Sequence, residues 1–436
     1  MVSAANKREN NRSAAAVTSR VLAEMAACTS PRFGGRIITE ADFHELLAVV
    51  ELLISSAHAS DAIQYALTPP EITIFANGEF VVDQSYHRTV MIPYAKEHFS
   101  EQFAASASAY PKYFDDPRDL PKPSSSDFPA GFVEAFEAEF GITPDELTIA
   151  YHALADDAMP EQALVVTRTN DRFREILAPA FQSKCGIDAF IENFTLPPRE
   201  RWDSAPDGFS DKDWYPWRYR RRLSLVMRPF VRDVDGKGSI IFAPGLVHDG
   251  IGLLLTRLLT GRLPADDFRS AEMRSWIGEV TRQLGNEFEI AVAGEFKACG
   301  FQALSSRPMT EFGADKSYGD LDVLGWTTSA GIFYAVECKR LRFARTVGEV
   351  GEQLREFRGK EMDRLAKHMR RCAWLRQRVD VLRRVSKTSW PKVTVVPLLV
   401  PSTLVPMQFV SGLPLDPNHI VAFNRLRDWL KGQSSP

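Results

Sequence analysis

Two apolar strands that carry four charges constrain this chain more than any other stretch. Residues 319–341 read GDLDVLGWTTSAGIFYAVECKRL, with Asp320, Asp322, Glu337 and Lys339 set among aliphatic and aromatic side chains. Side chains alternate across a strand, so Glu337 and Lys339 share one face while Val336 and Cys338 take the other. Asp320 and Asp322 share a face for the same reason. A hairpin centred on Ser329 and Ala330 sets Asp322 opposite Glu337 and Asp320 opposite Lys339, about 5 Å apart at Cβ. Leu321, Val323, Tyr334, Val336 and Cys338 then form the core face. A slip of one residue would move every one of these side chains to the wrong side.

Clustered carboxylates repel one another unless a cation neutralises them. Hard oxygen ligands with few histidines suit Mg²⁺ or Mn²⁺. Two carboxylates beside a lysine suit phosphodiester hydrolysis, with Lys339 orienting water or stabilising developing charge. The competing reading is a cross-strand salt-bridge ladder facing solvent, worth about 1 kcal/mol.

Charge distribution points the same way. The net charge of the chain is −3, yet residues 339–387 hold sixteen Lys and Arg against six Asp and Glu. A basic region of that kind concentrates phosphates near it, so an anionic partner is expected for that region. Between 348 and 385 the pattern reads as one long basic helix. On it Gln353, Lys360, Arg364, Lys367 and Arg371 recur on one face, and the last four are expected to track a phosphate backbone.

A length of 436 residues exceeds one ordinary core. The order helix, strand, strand, helix, strand, helix over residues 270–436 makes an α/β domain. Ahead of it, residues 1–110 are mainly helical with a hairpin at 71–82 around Asn77-Gly78, and 111–130 read as a Pro/Ser-rich linker. Residues 131–265 are helical with a basic and aromatic β-hairpin over WYPWRYRRRLSLVMRPFVR. Interleaved Arg and aromatic residues there fit the sealing of a domain edge better than nucleic-acid stacking. His248-Asp249 is expected in a loop.

Five cysteines without a CxxC pair argue against disulfides and zinc. The polar start lacks a signal-peptide core, and the apolar run over 46–54, broken by Glu51, is too short to span a bilayer, so no membrane contact and a cytoplasmic location are expected.

Asp322 followed by Glu337-Cys338-Lys339, with apolar strand residues on both sides, resembles the PD-(D/E)XK nuclease superfamily, and most closely its Mrr-like and Holliday-junction-resolvase-like members. The resemblance covers about residues 270–436 and implies a restriction-endonuclease-like fold, a mixed central sheet flanked by helices. It implies that Asp322 bridges the metal, that Glu337 and the Cys338 backbone carbonyl ligate it, that Lys339 is catalytic and that Asp320 is accessory. Relatives carry a glutamate on the preceding helix. Gly285-Asn286-Glu287-Phe288-Glu289 ahead of Gly300-Phe301 points to Glu289, with Glu287 its rival, and Gln353 stands where many relatives have a glutamine or lysine. Leu321 in place of proline and Cys338 in place of a purely apolar residue depart from the pattern.

The expectation is therefore a Mg²⁺- or Mn²⁺-dependent nuclease, placed by the resemblance in restriction or phage defence, with a homodimer or partner protein engaged through the N-terminal region. The alternative is a nucleic-acid-binding or scaffold protein whose endonuclease-like domain is silent.

Overall fold

The computed structural model describes residues 17–28, 37–76, 80–102, 128–199, 201–218, 221–233, 238–327, 330–360 and 362–434. The expected turn at Asn77-Gly78, most of the 111–130 linker and Ser329 lie outside the described residues.

Helix α1 (Glu40–Gln64) follows Thr39, whose hydroxyl accepts from Asp42 N at 3.2 Å. Strands β1 (Ile72–Ile74) and β2 (Phe80–Val82) pair as the expected hairpin, Ile72 opposite Val82. Among the described residues α1 is the one helix long and apolar enough to cross a membrane by length and composition. A search for an unbroken apolar run misses it because Glu51 interrupts the run without lowering the average much.

Helices α2 (Ala130–Phe140) and α3 (Pro144–Ala158) follow. A capping box starts α3: Thr143 Oγ1 accepts from Glu146 N at 3.1 Å and Glu146 Oε2 accepts from Thr143 N at 2.8 Å. Then come β3 (Val166–Arg168), α4 (Asn170–Leu177), α5 (Lys184–Phe194), β4 (Val231–Arg232), β5 (Ile240–Phe242) and α6 (Pro244–Leu259). His248-Asp249 lies on α6 rather than in a loop. Little of the expected basic hairpin is strand. Among the described residues of that stretch only Val231 and Arg232 pair with β5, and Arg222 binds Asp213 at 2.7 Å, while Tyr215 and Trp217 stack and Trp214 meets both edge-on.

The last third runs α7 (Ala271–Ala298), β6 (Gln302–Pro308), β7 (Asp320–Trp326), β8 (Ile332–Lys339), α8 (Val347–Glu356), α9 (Arg364–Gln377), α10 (Val379–Ser386), β9 (Thr394–Pro401) and α11 (Phe423–Ser434). The single basic helix expected over 348–385 is thus three helices. Gly359, left-handed at φ +76°, and Asp363, which caps α9 by accepting from Ala366 N at 2.8 Å, break the periodicity.

The chain divides into two units. One comprises residues 1–57 and 121–281. Its core gathers Phe132, Phe136, Leu147, Phe173 and Phe190 with the three-stranded antiparallel sheet β3-β5-β4. Within it Glu24, from helical residues 17–28, pairs with Arg221 out of solvent and accepts from Leu225 N at 2.9 Å.

The other unit comprises residues 58–120 and 282–436. The region expected to be N-terminal at 1–110 is therefore shared between the two units, and the boundary expected at 270 is found instead between Thr281 and Arg282, inside α7. Residues 58–102 pack into the C-terminal unit through contacts no local pattern announces. Tyr94 Oη accepts from Ala344 N at 2.8 Å, and Arg425 bridges Glu97 at 2.6 Å.

This second unit is built on a sheet ordered β6-β7-β8-β9, antiparallel up to β8 and parallel between β8 and β9. One face is covered by Val292 and Phe296 of α7 and Leu426 and Leu430 of α11, the other by Cys372, Leu375 and Leu382 of α9 and α10. Gly325 sets the fit of α7 to the sheet: a β-carbon there would overlap the buried ring of Phe296. Gly325→Ala is expected to cost about 1–3 kcal/mol in urea unfolding, because neither ring nor strand has room to move.

Candidate active site

β7 and β8 pair from Val323 opposite Val336 to Trp326 opposite Phe333, which is the register expected from the hairpin. The ladder stops one residue short of the charges. Beyond Val323 the strand β7 keeps its pairing with β6 instead, Leu321 with Arg307 and Asp320 with Pro308. The two strands thus part where Asp322 and Glu337 stand, and Asp322 Oδ2 fills the gap by accepting from Cys338 N at 2.7 Å.

Three of the expected residues meet there. Lys339 Nζ lies 2.8 Å from Glu337 Oε1 and 3.6 Å from Asp322 Oδ2. All three side chains are largely buried. A hydrogen-bonded lysine held between two carboxylates out of water is no surface ladder, which excludes the solvent-facing salt-bridge reading for this trio.

Glu289 comes from α7 and accepts from Ser306 Oγ at 2.5 Å. Glu287, its rival, is exposed and accepts from Gln283 Nε2 at 2.9 Å, one turn away on the solvent side of α7. Asp320 is exposed and pairs with β6, not opposite Lys339 as expected, because the β7–β8 ladder ends before it. Leu321 also departs from the expected core face: it packs with Leu324 and Phe333, while Val323 packs with Tyr334 and Val336 on the opposite side. Gln353 donates to the Arg342 carbonyl at 2.7 Å rather than to the carboxylates.

The row of cations expected on one helix face is dispersed by the break before α9. Lys360 lies in the connection, and Arg364 is paired with Glu356 at 3.1 Å. Lys360, Arg364 and Lys367 are exposed. Arg371 is not a surface cation: it is buried and pairs with Glu337 Oε2. Next to it His368, fully buried, lies 3.7 Å from the same oxygen. Burial pushes the His368 imidazole down to about 4, so it is neutral at physiological pH. His368 was missed in the sequence. Its signal was a lone polar residue in the apolar stripe Leu365, Cys372 and Leu375 of α9.

The charges explain how the carboxyls differ. Burial and the negative charge of Glu337 push the Asp322 carboxyl well above the usual range, against the pull of Lys339 and the Cys338 amide. Burial pushes Glu337 up as well, but Lys339 and Arg371 more than offset it and hold it low. Burial raises Glu289, with the Ser306 bond opposing. Lys339 is itself raised: its burial is outweighed by Glu337 and Asp322.

Among the described residues no three of His, Cys, Asp and Glu stand close enough to hold a metal ion as they are. The donor chemistry nevertheless fits a hard divalent cation. Asp322 and Glu289 both have carboxyls raised by burial, and so remain short of positive charge even with Lys339 present.

In comparison with known proteins, a family model described as Upx-like, anti-phage protein Upx-like, matches residues 2–426. No curated protein and no solved structure matches.

Proposed function

The chain belongs to the Upx-like anti-phage protein family, and from that premise we propose that it acts in phage defence as a metal-dependent nuclease, with DNA as the first substrate. The observation that carries this reading is the meeting of Asp322, Glu337 and Lys339 where β7 and β8 part. The sheet β6-β7-β8-β9, with α7 ahead of it and α11 behind, supports reading the unit as a restriction-endonuclease-like domain.

In this reading Asp322, Glu337, the Cys338 carbonyl and Glu289 would hold Mg²⁺ or Mn²⁺. When bound, the ion supplies Lewis acidity at the phosphoryl oxygen and a water of lowered pKa. The chain's own groups do the rest. Lys339, kept protonated by its two carboxylates, stabilises charge developing on the phosphate and orients the attacking water. Arg371 and Lys339 grip opposite oxygens of Glu337 and so fix its rotamer. Exposed Lys360, Arg364 and Lys367 lie in the stretch after β8, where they are available to phosphates. Asp320 and Gln353 have no direct part in this scheme.

The test is cleavage of linear and circular DNA, and of RNA, with Mg²⁺ or Mn²⁺ by the wild type and by Lys339→Ala. The wild type is expected to cleave DNA and the variant to fall by about 10²–10³-fold. If both leave nucleic acid intact yet bind it with a steep salt dependence, a binding protein with a silent endonuclease-like domain is the correct account.

A further inference from the structure

Ser306 lies on β6 and holds a left-handed backbone, φ +52°, which a residue with a β-carbon seldom adopts inside a strand. The pairing of β6 with β7 runs in one register on both sides of it. Ser305 is opposite Val323 and Arg307 opposite Leu321, and the single position skipped is Ser306 opposite Asp322. Across that skipped position the alternation of β7 slips: Leu321 and Val323, two residues apart, pack on opposite faces of the sheet. The strained residue therefore sits directly across the strand pair from one of the candidate metal ligands.

The strain has an identifiable consequence. The Ser306 hydroxyl is turned to donate to Glu289 Oε2 at 2.5 Å. Glu289 stands on a helix, Asp322 on a strand, and Ser306 is the residue opposite one and bonded to the other. Glycine would hold the same backbone without strain but would offer no donor.

We propose that Ser306 is a positioning residue whose left-handed backbone and hydroxyl hold the Glu289 carboxylate in reach of the cation that Asp322 and Glu337 bind. The inference rests on the metal-dependent reading above and extends it to a residue that touches neither metal nor substrate. Partners of this kind, which orient a ligating carboxylate, typically alter metal affinity by about 10–100-fold when removed.

The experiment uses the full chain as wild type, Ser306→Ala, Ser306→Gly and Ser306→Asn, with calorimetric titration of Mn²⁺ and thermal unfolding of the metal-free protein. Alanine loses the donor and keeps the strain; glycine loses both. Asparagine tolerates the left-handed region and restores a donor. Alanine and glycine are each expected to weaken Mn²⁺ binding by about 10–100-fold, and asparagine to recover most of that loss. Glycine is also expected to raise Tm by about 2–4 °C, so affinity falls while stability rises. A merely structural role would move the two together.

Alanine and glycine variants that bind Mn²⁺ as the wild type does would overturn the inference alone. So would an affinity loss confined to variants whose Tm also drops. A wild type that takes up no Mn²⁺ overturns the inference together with the reading on which it rests.

Discussion

Arg371→Met is expected to lower the unfolding free energy by about 3–5 kcal/mol, the largest single loss of stability foreseen for a residue that touches no substrate. Glu337 is buried and its two oxygens are held by different cations, Lys339 on Oε1 and Arg371 on Oε2. Methionine fills much of the space of the arginine stem but leaves Oε2 without a charge partner. His368, 3.7 Å away, is held neutral mainly by its burial, with Arg371 adding to that effect. The loss also frees the Tyr318 carbonyl, which accepts from Arg371 Nη1 at 3.4 Å. Urea denaturation of the variant measures the effect. The double variant Glu337→Met with Arg371→Met should recover most of the loss, since it removes both charges rather than stranding one. A single-variant loss under about 1 kcal/mol would show that the pair is open to water and contributes as surface pairs do.

Asp322→Asn should have opposite effects on stability and on cleavage. Its carboxyl is buried beside the negative Glu337 and is raised above its ordinary value of 3.8. The folded chain therefore binds this proton more tightly than the unfolded chain does. Stability falls as pH rises from about 4 through the raised value, because the unfolded state gives up the proton first. Asparagine removes that penalty and its side-chain oxygen can still accept from Cys338 N, while Lys339 keeps Glu337 at 2.8 Å. The variant should unfold at a higher temperature than the wild type at neutral pH, with the difference shrinking toward pH 4. Cleavage should fall by about 10³-fold, since a neutral amide is a poor ligand for a hard cation and no longer balances Lys339. A variant less stable than the wild type at neutral pH would show that Asp322 is held in place by its charge. The contrast is the ordinary one between a strained functional group and the fold that carries it.

How much of this was legible beforehand differs from residue to residue. The register of β7 and β8 was readable because a two-residue period and one apolar face leave a single pairing that buries Val323 and Val336. That brought Asp322, Glu337 and Lys339 together on paper. Where the ladder stops was not readable: β6 turns left-handed at Ser306, the position across from Asp322, and nothing in the composition of QALSSRP marks which serine that is. Arg371 was misplaced because helical spacing was carried through residues 357–363, where Gly359 and the Asp363 cap restart the helix with a new phase. Once that phase is lost, a cation expected to face solvent turns inward to Glu337. The packing of residues 58–102 with the C-terminal unit is nonlocal, and periodicity carries no information about partners so distant along the chain.

That same interleaving bears on the order in which the protein can be made. Tyr65 and Tyr94 leave the ribosome long before Ala344 and Gly351, their partners in the finished unit, have been synthesised. The strand β9, which supplies the parallel neighbour of the whole Ile332–Lys339 strand, comes later still. The unit that carries Asp322, Glu337 and Lys339 therefore gains the parallel neighbour of β8 only when the chain is nearly finished, and a chain ending before Thr394 lacks that edge of the sheet.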